Sequence, residues 1–124
     1  MRRLLVAGAL ALAAAACTPA TAHVAPGAIA MDHSLFRPAS ATVVAASRLT
    51  FTNTSSRAVH VLVVGTDAHI RSEPGAPAFG GSAGVRTDVG RSWTSGPWRT
   101  PGTYHVTCTL HPSMNLTVRV VPST

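Results

Sequence analysis

The segment PGTYHVTCTLHPSMNLTVRVV, residues 101–121, contains two predicted β-strands joined by a short loop. Residues 103–108 and 116–121 alternate apolar and polar side chains, a period of two that is typical of strands with one buried face. On the first of these strands Tyr104, Val106 and Cys108 share a face, and the cysteine stands where the strand ends. We therefore expect the Cys108 thiol to point inward beside a loop.

The chain after residue 28 is predicted to consist of short β-strands separated by turns. The other candidate strands are residues 29–34, 41–45, 48–53, 58–64 and 90–94. They are rich in β-branched residues, they are separated by turn residues, and none of them has a helical period. Residues 72–84 are rich in Gly, Ala, Pro and Ser, which predicts a long surface loop. Short strands in this number predict an all-β sandwich or barrel.

The first residues of the chain resemble an export signal. Arg2 and Arg3 precede an apolar run, residues 4–16, that is too short to remain as a membrane-spanning helix. The sequence AAAC that ends at Cys17 resembles a bacterial lipobox, which predicts a signal peptide over residues 1–16 and a lipid anchor at Cys17. Cleavage after residue 22 is the alternative.

The expected domain organisation follows from these signals. Residues 17–28 form a tether and residues 29–122 form one domain. Both lie outside the cytoplasm, in the periplasm or at a bacterial cell surface, and the lipid would hold the protein at a membrane.

The charge pattern narrows the class of partner. From residue 17 onward the chain has eight Arg, no Lys, three Asp and one Glu, a net charge of +4 with neutral histidines. The arginines are scattered, whereas a nucleic-acid-binding surface would cluster them with aromatic residues. We therefore expect no nucleic acid. The modest positive charge of the protein favours a protein partner with an acidic surface. We expect the protein itself to be a monomer.

Three metal-ligand residue types occur within seven positions of the predicted loop. Cys108, His111 and Met114 have the spacing Cys-x2-His-x2-Met. A thiolate with imidazoles and a weak thioether is the donor set of a blue copper centre. His60 lies in the otherwise apolar strand 58–64, where a polar side chain indicates a specific role. It is the candidate for the second imidazole ligand.

Simpler interpretations of the same residues remain open. A buried cysteine or strand histidine can be part of the core. Cys108, His60 and His111 could also bind Zn(II) with a water molecule, although the thioether of Met114 is a poor zinc ligand. His23 and His33, with Met31, form a second and weaker candidate copper site near the tether.

The pattern resembles the cupredoxin family, the type 1 or blue copper proteins, over roughly residues 29–122. The short loop is similar to that of amicyanin and to those of cupredoxin-like domains of bacterial lipoproteins. Residues 101–104 resemble the P-G-x-Y approach to the copper loop, and residues 36–38 and 48–53 resemble the N-terminal half of the family. The resemblance implies a Greek-key β-sandwich with one copper ion held at one end by His60, Cys108, His111 and Met114.

Two positions depart from the family's pattern. Val61 follows His60, where many members have an Asn that braces the cysteine loop. Asn115 and Leu116 follow Met114, where a Gly is common. We expect the bracing around the site to differ for this reason.

The expected function is one-electron transfer between redox partner proteins through a single copper ion. An enzymatic role is not expected, because one domain with one free cysteine leaves no room for a second copper centre. The partly exposed imidazole is expected to be His111, and the electrons would pass through it. A copper delivery or storage module is one alternative, and a metal-free or zinc-binding structural domain is another.

Overall fold

The structure is a computed structural model, and it describes residues 27–124. This part of the chain is almost entirely β-structure. The ten strands in chain order are β1 (Ala28–Met31), β2 (Phe36–Arg37), β3 (Ser40–Val44), β4 (Thr50–Asn53), β5 (His60–Thr66), β6 (His69–Ile70), β7 (Val85–Thr87), β8 (Ser92–Thr94), β9 (Gly102–Cys108) and β10 (His111–Val121). A single turn of 3-10 helix, Gly81–Ala83, lies between β6 and β7. In residues 27–124 no helix has the length and apolar character needed to cross a membrane.

The strands form two sheets. One has the order β2-β1-β4-β8, and the other has the order β3-β10-β9-β5-β6, with β7 paired to β5. Most pairs are antiparallel, but β1 runs parallel to β4 and β10 runs parallel to β3. These connections between the sheets give the β-sandwich that the sequence predicted, in the Greek-key form that the family resemblance implied.

The core lies between the sheets and follows the predicted alternation. Tyr104, Val106 and Cys108 of β9 are buried, and so are Leu116 and Val118 of β10. They face the apolar side chains of the other sheet, which include Ile29, Met31 and Phe51. Burial of each such side chain contributes about 1.5–3 kcal/mol, so both strands are held with one face inward.

Several predicted boundaries were wrong. β10 begins at His111 rather than at residue 116, because His111 pairs directly with Cys108 and an irregularity before Asn115 absorbs the residues between. β1 spans Ala28–Met31, whereas the sequence predicted a strand over residues 29–34. The signal peptide, the lipid anchor at Cys17 and the rest of the tether lie outside the described residues.

The sequence also missed three short strands. β2, β6 and β7 have two or three residues each, too few for a periodicity to be visible, and each forms by pairing with a longer strand. Both residues of β6, His69 and Ile70, are exposed.

The long loop over residues 72–84 is anchored to the outer face of β9. The Glu73 carboxylate accepts a hydrogen bond from the backbone N–H of His105 at 2.6 Å and lies 2.8 Å from its Nδ1. This pair leaves the His105 side chain only 37% exposed. Glu73 thus ties the start of this segment to the sheet, and Phe79, which is buried in the core, holds its middle.

Candidate metal centre

Three of the four predicted ligands meet at one end of the sandwich. His60 begins β5, Cys108 ends β9 and His111 begins β10. The Cys108 Sγ lies 3.7 Å from the His60 Nδ1 and 3.5 Å from the His111 Nδ1. One donor atom from each of the three residues lies within 4.8 Å of the other two. One metal ion between them could therefore contact all three.

The strand pairing explains this convergence. Leu62 pairs with Cys108 across β5 and β9, so the start of β5 lies beside the end of β9. His111 pairs with Cys108 across a tight turn of two residues. Residues 48 positions apart in the chain thus meet because both occupy the same end of one sheet.

The site is buried, and its exposure is uneven. His60 and Cys108 are 0% exposed, whereas His111 is partly exposed. This is the distribution that the sequence predicted for the two imidazoles. Burial is the main cause that lowers the pKa of His60, and the nearby positive charge of a protonated His111 lowers it further. The lowered pKa of His60 favours its neutral form, the form that binds a metal ion.

The orientation of the His60 ring fits a metal ligand. Its Nδ1 faces the Cys108 thiol, and its Nε2 is fully buried on the other side of the ring. The Asp32 backbone acts on this imidazole as a hydrogen-bond acceptor, which opposes the lowering of its pKa. The Nδ1 is thus left to bind a metal ion.

The Cys108 sulfur is braced by the backbone. The Val61 N–H donates to the Cys108 Sγ at 3.4 Å, and the Thr109 N–H donates to the Val61 carbonyl at 2.9 Å. These two bonds connect the turn after the cysteine to the residue after His60. The departure at Val61 therefore leaves a brace in place, because the bond to sulfur comes from the main chain.

Asn53 is a supporting residue that the sequence analysis missed. It is 1% exposed, and its side-chain amide donates to the carbonyls of Ala58 and Thr87 at 2.8 and 3.0 Å. Its Oδ1 accepts from the Ser55 backbone and hydroxyl. A fully satisfied buried amide fixes the segment that leads into His60. The signal available was its position on the same strand face as Phe51, two residues on, where a polar side chain would be buried.

Met114 is fully buried in β10, three residues after His111. The hydroxyl of Thr107, itself buried, donates to the Met114 carbonyl at 3.0 Å. The next residue, Asn115, accepts from the Asp67 N–H and donates to its carboxylate. These polar contacts fix the end of the ligand loop, Met114 and Asn115, which we call the loop exit. The role of the Met114 thioether as a copper ligand stays a prediction.

The second candidate site stays a prediction, because His23 lies outside the described residues. Met31 is 0% exposed and part of the core, while His33 is exposed and its ring lies 6.1 Å from that of His111. His33 is therefore a neighbour of the main site.

The three donor atoms, one sulfur and two imidazole nitrogens, indicate which metal the site suits. A soft sulfur with two imidazoles is the equatorial set of a type 1 copper site, and it can be held by a rigid sandwich in one arrangement. The distances and the burial of the three donors agree with such a site.

Comparisons with known proteins address the fold. No family model matches the sequence, and no curated protein sequence matches it. Among solved structures, a purple cupredoxin from Nitrosopumilus maritimus superimposes with a TM-score of 0.58 over 77% of this chain and 99% of that chain, at 16% identity. The chain has the cupredoxin fold.

Two further structures share this cupredoxin fold with the chain. An oxidised mutant of amicyanin gives a TM-score of 0.58 at 16% identity, over 82% of this chain and 88% of that one. A Cu-containing nitrite reductase from Thermus scotoductus gives 0.63 at 19% identity over 81% of this chain. The chain spans only 23% of that enzyme's chain. At these identities the likeness is one of fold.

Proposed function

We propose that this protein binds one copper ion through His60, Cys108 and His111, with Met114 as a weak fourth ligand, and carries single electrons between partner proteins. The observation that carries the proposal is the convergence of a buried thiol and two Nδ1 atoms within 4.8 Å of one another. Copper in such a site supplies reversible exchange of one electron between Cu(II) and Cu(I).

The protein's own contribution is to hold the donors still. His60 and Cys108 lie on paired strands, the Val61 N–H donates to the sulfur, and Asn53 fixes the segment before His60. When the ligand atoms move little between the two oxidation states, the reorganisation energy of electron transfer is small. Burial excludes water from the thiol, and the hydrogen bond to sulfur is one of the levers on reduction potential.

The partly exposed imidazole of His111 is the proposed site of electron exchange. Leu35, Val89 and Leu110, which are 49%, 44% and 54% exposed, belong to loops at the same end of the sandwich as His111. Apolar side chains around an exposed imidazole suit a brief contact that buries little surface.

The charges at this end favour an acidic partner. Arg57 and Arg91 are exposed there, and within residues 27–124 neither forms an ion pair. A redox partner with an acidic rim would be steered toward His111, and the rate of electron exchange should fall as salt is added.

We propose that the electron transfer occurs outside the cytoplasm, with the protein held at a membrane by a lipid attached to Cys17.

An absorption spectrum tests the proposal. Purified domain with one equivalent of Cu(II) should develop an intense visible band from charge transfer between thiolate and copper, and Cys108→Ser should abolish it. His111→Ala should weaken or shift the band. His69→Ala, which removes an exposed imidazole from β6, is the matched control and should leave it unchanged.

Other results would favour the alternatives. A domain that binds Zn(II) more tightly than copper and shows no visible band would be a structural zinc or metal-free domain. A domain that turns blue but releases Cu(I) quickly to a competing chelator would be a delivery or storage module. Slow release with one sharp reduction potential supports electron transfer.

A further inference from the structure

His33 stands on an ordered turn beside the metal centre, and nothing in the proposed site uses it. The turn joins β1 to β2, and it is closed by a hydrogen bond from the Asp32 N–H to the Leu35 carbonyl at 2.9 Å. The Asp32 carboxylate accepts from the His33 N–H at 2.7 Å and is paired with Arg37 at 3.0 Å. The backbone of His33 is therefore fixed while its imidazole is exposed to solvent.

Three imidazoles lead from this surface into the site. The ring centroids of His33 and His111 are 6.1 Å apart, and those of His111 and His60 are 5.3 Å apart. Exposure decreases along the series, since His33 is exposed, His111 is partly exposed and His60 is fully buried.

The buried donors cannot meet an ion in solution directly. His60 and Cys108 are 0% exposed, so His111 is the donor of the three that solvent reaches. With metal–nitrogen bonds of about 2 Å, two imidazoles on opposite sides of one ion have ring centroids roughly 6 Å apart. The separation of His33 and His111 fits that arrangement.

We infer that His33 and His111 form an outer site that captures a copper ion and passes it to the buried site. The inference rests on the proposed function, because it assigns a route to the same metal centre. It adds His33 as a ligand of the incoming ion and not of the bound one. Imidazole nitrogen binds both oxidation states of copper, so the outer site accepts either.

The transfer is a ligand exchange without a redox change. The bond between the ion and the His33 nitrogen breaks, a bond to the Cys108 sulfur forms, and the thiol proton leaves to water. His111 binds the ion in both positions, turning its ring between the surface and the thiol. The Nδ1 of His60 then completes the inner set, and the copper keeps its oxidation state throughout.

The rate of copper uptake tests this inference. Metal-free protein is mixed rapidly with Cu(II), and the growth of the visible band is followed. For His33→Ala we expect uptake about tenfold slower, the lower end of the effect of removing a residue that supports a metal site, with the same final spectrum. His33→Gln should behave likewise, and His69→Ala should match the unmodified protein.

A second measurement isolates the outer site. In the Cys108→Ser protein the inner set is incomplete, so Cu(II) should bind weakly and its electron paramagnetic resonance spectrum should include a His33 nitrogen. Adding His33→Ala to this protein should weaken the binding and remove that nitrogen from the spectrum.

The outcomes of these experiments distinguish the proposed copper function from the proposed outer site at His33 and His111. If the unmodified protein forms no visible band, the proposed function fails. If it does, and His33→Ala takes up copper at the unmodified rate, the function stands and the outer site is refuted. An altered final spectrum in His33→Ala would also contradict the inference, because His33 would then act on the bound ion.

Discussion

Replacing Thr107 with Val removes one hydroxyl that joins three parts of the structure. Thr107 is 0% exposed on β9. Its hydroxyl donates to the Met114 carbonyl at 3.0 Å and accepts from the Ala68 N–H at 3.0 Å. The hydroxyl therefore connects the loop exit beside the metal centre to the turn between β5 and β6.

The expected cost follows from the groups left without partners. Each orphaned buried backbone group costs about 1–3 kcal/mol, and the Ala68 N–H is only partly buried, so its share is at the low end. The extra methyl of valine offsets about 1 kcal/mol. We expect Thr107→Val to lower the free energy of unfolding by about 1–3 kcal/mol. Thr107→Ser keeps the hydroxyl and loses one buried methyl, which should cost about 1 kcal/mol.

Urea unfolding of the metal-free proteins measures both values. The same substitution should also change the copper spectrum, because the hydroxyl holds the backbone of the predicted axial ligand, Met114, whereas Thr107→Ser should retain the unmodified spectrum. Should Thr107→Val be at least as stable as Thr107→Ser, the hydroxyl contributes nothing and the reasoning about the loop exit is wrong.

Three further predictions concern the loop anchor, the buried imidazole and a tight turn. Glu73→Ala removes the two hydrogen bonds that tie the start of the long loop to β9, so limited proteolysis should cut this part of the loop faster, while Glu73→Gln, which keeps one acceptor, should be intermediate; equal cleavage rates would refute the anchor. The folded-state pKa of His60 is lowered, so below about pH 6.5 the unfolded chain binds more protons and the metal-free protein should lose stability. Unfolding midpoints from pH 7.5 to 5.5 measure this, and His60→Gln should flatten the dependence; an equally steep curve in that variant would assign it to other groups. Gly65→Ala should be severely destabilising, because the added Cβ would overlap the His69 carbonyl, whereas Gly90→Ala has open space around it and should cost about 1 kcal/mol of backbone strain; similar unfolding free energies for the two variants would contradict this.

The local pattern of the sequence was sufficient for the strands of the core and for the ligand types. Alternation in β9 and β10 predicted which faces are buried, and the spacing of Cys108, His111 and Met114 predicted the donor set. These features are readable because side-chain direction alternates along a strand and because few residue types bind soft metals.

The contacts between distant residues could be decided only by the folded chain. The pairing of β5 with β9 brings His60 to the thiol, the pairing of His111 with Cys108 extends β10 to residue 111, and Asn53 fixes the segment between the two sheets. The turn that places His33 next to His111 likewise depends on how the sheets pack. Local sequence determines the direction of a side chain within its own strand, but the neighbours of that side chain depend on which strands pair and in which register, and pairing is a property of the whole fold.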